Sequence, residues 1–159
     1  MTDGTESMVV NRVSEREVRI ERVFDAPRKL VWRAMTRPDL LHRWWGRGHE
    51  LTIERMELEP GGHWRYVERT PDGDYGFEGR YREVDEPRRI SRTFEWDGRP
   101  GHVSVDTLEL EQTADKRTRL VDTSLFMTRE DCDEMIGSGM AEGVSESYAA
   151  LDRVLASMK

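Results

Sequence analysis

The chain has 159 residues, with 25 Lys and Arg against 32 Asp and Glu and a formal net charge of −7. That length suits one domain with a substantial core. The acidic balance argues against a nucleic acid or an anionic membrane surface as partner, because both recruit Lys and Arg.

Cys132 is the only cysteine, so no internal disulfide forms. No apolar run is long enough to span a bilayer or open a signal peptide, and a reducing cytoplasm is the default setting. Residues 1–16 are expected to be a flexible tail before a single domain over 17–159.

Glu17–Phe24 is predicted to be a strand. Asp25 and Pro27 then mark a helix start, with Leu30, Val31 and Ala34 at helical spacing. Thr36 and Pro38 mark a second start, Leu40, Leu41, Trp44 and Trp45 supply its apolar face, and Gly46 supplies a left-handed stop. Two helices this short are not stable alone and need a larger partner.

From Glu50 the pattern changes to period two. Strands are predicted over Glu50–Leu58, His63–Arg69, Tyr75–Val84, Ile90–Trp96, Val103–Gln112 and Arg117–Phe126. Turn formers such as Glu59-Pro60-Gly61-Gly62 and Pro71-Asp72-Gly73 separate them, and such short connections favour antiparallel pairing. The ending is helical. A short helix over Thr128–Ile136 meets a break at Gly137-Ser138-Gly139. A long helix then runs to about Met158, with Met140, Val144, Tyr148, Leu151 and Leu155 as its apolar stripe.

The implied fold class is α+β: a curved antiparallel sheet of six to seven strands around a long C-terminal helix, with two short helices after the first strand. Alternation places Trp64, Tyr66 and Glu68 on one strand face. Tyr75, Phe77, Gly79 and Tyr81 share a second, and Phe94 and Trp96 a third. These aromatic faces meet the helical stripe and either fill a core or line a void. Tyr and Trp tips want polar partners when buried, which a pocket provides through water or ligand. The candidate ligand-binding set is Trp45, Trp64, Tyr66, Phe77, Tyr81, Phe94, Trp96, Met140, Val144 and Tyr148, with His102 near the mouth.

Catalytic signals are sparse. His102 suits acid or base work near neutral pH, or is a plain surface histidine. His42, His49 and His63 lack the close spacing of a zinc motif, so no metal is expected, and no cofactor-binding glycine loop is present. Cys132 stands between Asp131 and Asp133, which disfavours a thiolate. Glu68, Arg92 and Asp122 are strand charges that either sit at edges or turn inward to orient a polar ligand head.

Taken together, several motifs carry a resemblance over roughly Val18 to Leu155. They are Phe24-Asp25-Ala26-Pro27, Leu30-Val31-Trp32, Pro38, Trp44-Trp45-Gly46, Pro60-Gly61-Gly62 with Trp64-Arg65, Pro71-Asp72-Gly73, Phe94-Glu95-Trp96, and Gly139-Met140 with Gly143. The chain resembles the Hsp90 ATPase activator homologue (AHSA1-like) branch of the START/Bet v 1-like superfamily, the SRPBCC group. The resemblance implies a helix-grip fold around an apolar cavity and no single activity.

Arg47 stands where the branch often has Pro, and Val144 where many members have Trp, which leaves room for a larger pocket. The first expectation is a protein that binds an apolar or aromatic small molecule. The alternatives are a co-chaperone acting on an Hsp90-type ATPase and a cyclase- or hydrolase-like enzyme using the cavity. The eukaryotic activators carry an additional N-terminal domain, which weighs against a simple transfer of their role. A homodimer is compatible with the sequence and not required by it.

Overall fold

A computed structural model describes residues 8–159. Its elements are β1 (Met8–Ser14), β2 (Glu17–Phe24), α1 (Arg28–Thr36), α2 (Pro38–Leu41), β3 (Glu50–Met56), β4 (His63–Thr70), β5 (Gly73–Asp85), β6 (Arg89–Trp96), β7 (Val103–Gln112), β8 (Thr118–Leu125), α3 (Arg129–Gly137) and α4 (Met140–Ser157). The strands make one antiparallel sheet in the order β1-β2-β8-β7-β6-β5-β4-β3, eight strands where the sequence predicts six or seven.

The additional strand comes from the expected tail. Residues 1–7 of that tail lie outside the described residues. From Met8 the chain pairs with β2 instead, from Met8 opposite Arg22 to Ser14 opposite Glu17. β1 is largely exposed, so it carries little of the apolar alternation that marks a strand in sequence.

β3 to β8 form a meander whose last strand returns to β2, with Glu17 opposite Leu125 and Phe24 opposite Thr118. α1 and α2 carry the chain from β2 to the far edge at β3. Their caps differ from expectation. Pro27 occupies the position before α1 without a side-chain cap, while Asp25 pairs with Lys159 at 3.5 Å. The Thr36 hydroxyl donates back to the Trp32 carbonyl at 2.7 Å, so Arg37 precedes α2 and Pro38 opens it. Gly46 adopts φ +94°, the left-handed stop its position requires.

The core lies between the sheet and α4, where Phe24, Trp44, Trp64, Leu120 and Leu151 are buried together. The paired tryptophans of the α2–β3 connection divide their roles. Trp44 Nε1 donates to the Ala34 carbonyl at 2.9 Å and is fixed in the core, whereas Trp45 is only partly buried. A smaller cluster of Val18, Phe126 and Cys132 lies under α3. Burial pushes the Cys132 thiol up, against a pull from Arg12 and with a smaller push from Asp133. Thr128 caps α3 by accepting from the Asp131 N–H at 3.1 Å.

Candidate functional site

Curvature of the sheet leaves a half-open cavity of about 500 Å³ between its inner face, α4, α3 and the α2–β3 connection. Ten of the eleven residues proposed from the sequence lie on its lining: Trp45, Tyr66, Phe77, Tyr81, Phe94, Trp96, His102, Met140, Val144 and Tyr148. Trp64 does not. It is fully buried behind the wall, and its Nε1 donates to the Thr93 carbonyl at 3.1 Å.

The wall is aromatic. Trp45 meets Tyr66 and Phe77 edge-on, each at 5.3 Å between ring centroids, and Phe77 meets Phe94 at 5.5 Å. Edge-on and offset contacts of this kind are the favoured geometries for such rings. Met140, Val144 and Tyr148 contribute the α4 side. Trp96 is 37% exposed and sits toward solvent beside Tyr75.

The floor is polar. Tyr81 on β5 stands opposite Arg92 on β6, Arg92 opposite Asp106 on β7, and Asp106 opposite Ser124 on β8. Asp122 lies two residues before Ser124, on the same strand face. The Arg92 guanidinium lies 3.9 Å from the Trp64 ring centre and donates to the Tyr66 hydroxyl at 3.3 Å. The Ser104 hydroxyl donates to Asp106 Oδ1 at 3.4 Å.

Two buried polar atoms among the described residues have no hydrogen-bond partner, the Tyr81 hydroxyl and Asp122 Oδ1, and both residues line this cavity. Burial, helped by nearby Asp106 and partly opposed by Arg92, pushes Asp122 up to about 7. Burial also raises Asp106, and it raises Tyr148, with Asp122 adding to the effect there.

The rim carries ion pairs. His102 Nδ1 lies 2.8 Å from Asp131 Oδ1, and Arg99 reaches both Asp131, at 3.5 Å, and Glu134, at 2.7 Å. Glu68, turned inward and only 4% exposed, meets His49 Nδ1 at 2.5 Å and Arg47 at 3.8 Å. No hydroxyl or thiol among the described residues is hydrogen-bonded to His102, which is the contact nucleophilic catalysis asks of such a His–carboxylate pair. Nor is any group of three His, Cys, Asp or Glu among them arranged to hold a metal ion.

Glu68, Arg92 and Asp122 all face the cavity. Asp106 and Ser104 escaped the sequence reading. The available signal is parity, since both share a strand face with Leu108 and Leu110.

A curved antiparallel sheet gripping a long C-terminal helix over such a cavity defines a helix-grip protein of the START/Bet v 1-like class. Within it, the chain belongs to the family described as Activator of Hsp90 ATPase homolog 1-like protein, whose model matches residues 25–156. A crystal structure of a Rhodobacter sphaeroides protein is similar at TM-score 0.88 and 28% identity, covering 96% of this chain and 100% of that one. A solution structure from Arthrobacter aurescens gives 0.83 and 28%, covering 94% and 91%. The crystal structure of protein Ms6760 from Mycobacterium smegmatis gives 0.83 and 24%, covering 96% and 100%, and supports the fold alone. No curated protein matches the chain. No helix among the described residues is long and apolar enough to cross a membrane.

Proposed function

We propose that this chain binds an apolar or aromatic small molecule in the cavity between the sheet and α4. The observation that carries this reading is the volume of about 500 Å³ behind the Trp45–Phe77–Phe94 wall. Pockets of roughly 300–1,000 Å³ with apolar walls and a few convergent polar groups suit drug-sized ligands. Burial of the ligand's apolar surface supplies affinity, and the polar floor fixes orientation.

Native mass spectrometry of the protein purified from its own host tests the reading. A retained small molecule supports it and gives its chemical class. No retained mass, together with no uptake of the neutral probe N-phenyl-1-naphthylamine, rejects it.

Family membership supports a second reading, stimulation of an Hsp90-type ATPase through the domain surface. ATP turnover by the cognate chaperone, with and without saturating protein, decides it; unchanged turnover removes the proposal.

A further inference from the structure

The cavity floor holds two carboxylates and one cation. Arg92 faces Asp106 across the β6–β7 ladder, stacks on Trp64 at 3.9 Å and donates to Tyr66, so its position is committed. The other arginines nearby are also engaged: Arg22 on β2 gives both terminal nitrogens to Asp152, at 2.8 and 2.6 Å, and at the rim Arg47 pairs with Glu68 and Arg99 with Asp131 and Glu134. Asp122 has no basic side chain within ion-pair distance among the described residues, and its Oδ1 accepts no hydrogen bond.

A buried carboxylate oxygen without a donor costs stability and persists where something else satisfies it. A second observation points the same way. The Tyr81 hydroxyl, on a side chain only 2% exposed, also lines the cavity without a partner. The floor therefore offers unmet hydrogen-bonding capacity at two places, inside walls that are otherwise aromatic. Aromatic faces are themselves favourable to cations, and carboxylates outnumber arginines along the whole lining. A carboxylate head would meet repulsion there.

We propose that the cavity's ligand carries an amine, and that this amine donates to Asp122 while the apolar body lies against Trp45, Phe77 and Phe94. The inference rests on the binding reading above and names the head group that reading leaves open. Above about pH 7, where Asp122 has lost its proton, the ligand supplies the positive charge that balances it, and a charge-assisted bond in a low-dielectric site is stronger than a neutral one.

Calorimetric titration of the full chain at pH 8 with tryptamine, tryptophol and indole-3-acetate tests it, because the three share one indole body and differ in the head. Tryptamine is expected to bind at least about tenfold more tightly than indole-3-acetate, with tryptophol between them. In Asp122→Asn, tryptamine loses about tenfold while tryptophol stays within about threefold.

Equal or tighter binding of indole-3-acetate overturns the proposal, and the unmodified protein alone decides that comparison. Uptake of N-phenyl-1-naphthylamine without an amine preference rejects the head group and leaves the binding reading standing. Failure of every probe rejects both.

Discussion

Arg22 on β2 and Asp152 on α4 join the first half of the chain to its last helix through two parallel hydrogen bonds of 2.8 and 2.6 Å. The Arg22 side chain is 6% exposed and also lies over the Phe24 ring, at 4.5 Å from its centre. Removing Asp152 leaves a buried guanidinium without its counter-charge. Asp152→Ala is expected to lose roughly 2–3 kcal/mol, somewhat below the range for wholly buried pairs because Asp152 is partly exposed. Urea unfolding checks this, and a change under about 0.5 kcal/mol would show the pair to be dispensable.

Two glycines should respond oppositely to alanine. A Cβ on Gly79 would stand 1.9 Å from the Thr93 carbonyl oxygen, a backbone atom that cannot retreat without opening the β5–β6 pairing. Gly79→Ala is expected to lose about 3 kcal/mol or to fail to fold. A Cβ on Gly143 would meet only the flexible Arg47 side chain, at 3.0 Å. There the helix-propensity gain dominates, and Gly143→Ala should add about 0.5–1 kcal/mol. Thermal unfolding of both variants gives the two signs directly.

Asp122 makes stability depend on pH. In the folded chain it keeps its proton up to about 7, because burial and Asp106 oppose its ionisation. In the unfolded chain it releases that proton near the ordinary value of about 3.9. Between these values the folded state binds more protons, so this group's contribution makes stability fall as pH rises through the window and level off above it. Asp122→Asn should flatten that decline and unfold at a higher temperature than the unmodified protein at pH 8. An unchanged slope between pH 5 and 8 would contradict the assignment.

Val144 holds cavity space open on α4. Val144→Trp puts a large ring at a lining position. It is expected to reduce N-phenyl-1-naphthylamine uptake at least about tenfold while leaving thermal stability level or higher, since filling a void adds packing. Fluorescence titration reads the first effect and calorimetry the second. Undiminished uptake would place the probe outside the cavity.

Period-two alternation and turn residues made the β3–β8 meander legible, and the three-and-four spacing from Met140 to Leu155 marked α4. Tyr66, Phe77, Tyr81, Phe94 and Trp96 share the cavity lining because parity along a strand says which side chains point together, and Met140, Val144 and Tyr148 join them through the helical stripe. Parity says less about depth. Trp64 and Tyr66 occupy one face of β4, yet Trp64 is sealed behind the wall by its bond to Thr93 while Tyr66 reaches the cavity. β1 escaped because an exposed edge strand needs no apolar alternation.

Sequence by itself determined the elements from β2 onward, their order and the aromatic strand faces, since these follow from local periodicity and turn chemistry. Only the tertiary structure decided that the face encloses space, that Trp44 is anchored while its neighbour Trp45 meets the cavity, and that Arg92, Asp106 and Asp122 share one floor. Those outcomes depend on sheet curvature and on registry between strands distant in sequence. Both are set by how the sheet as a whole packs with the helices, and no local window of residues contains them.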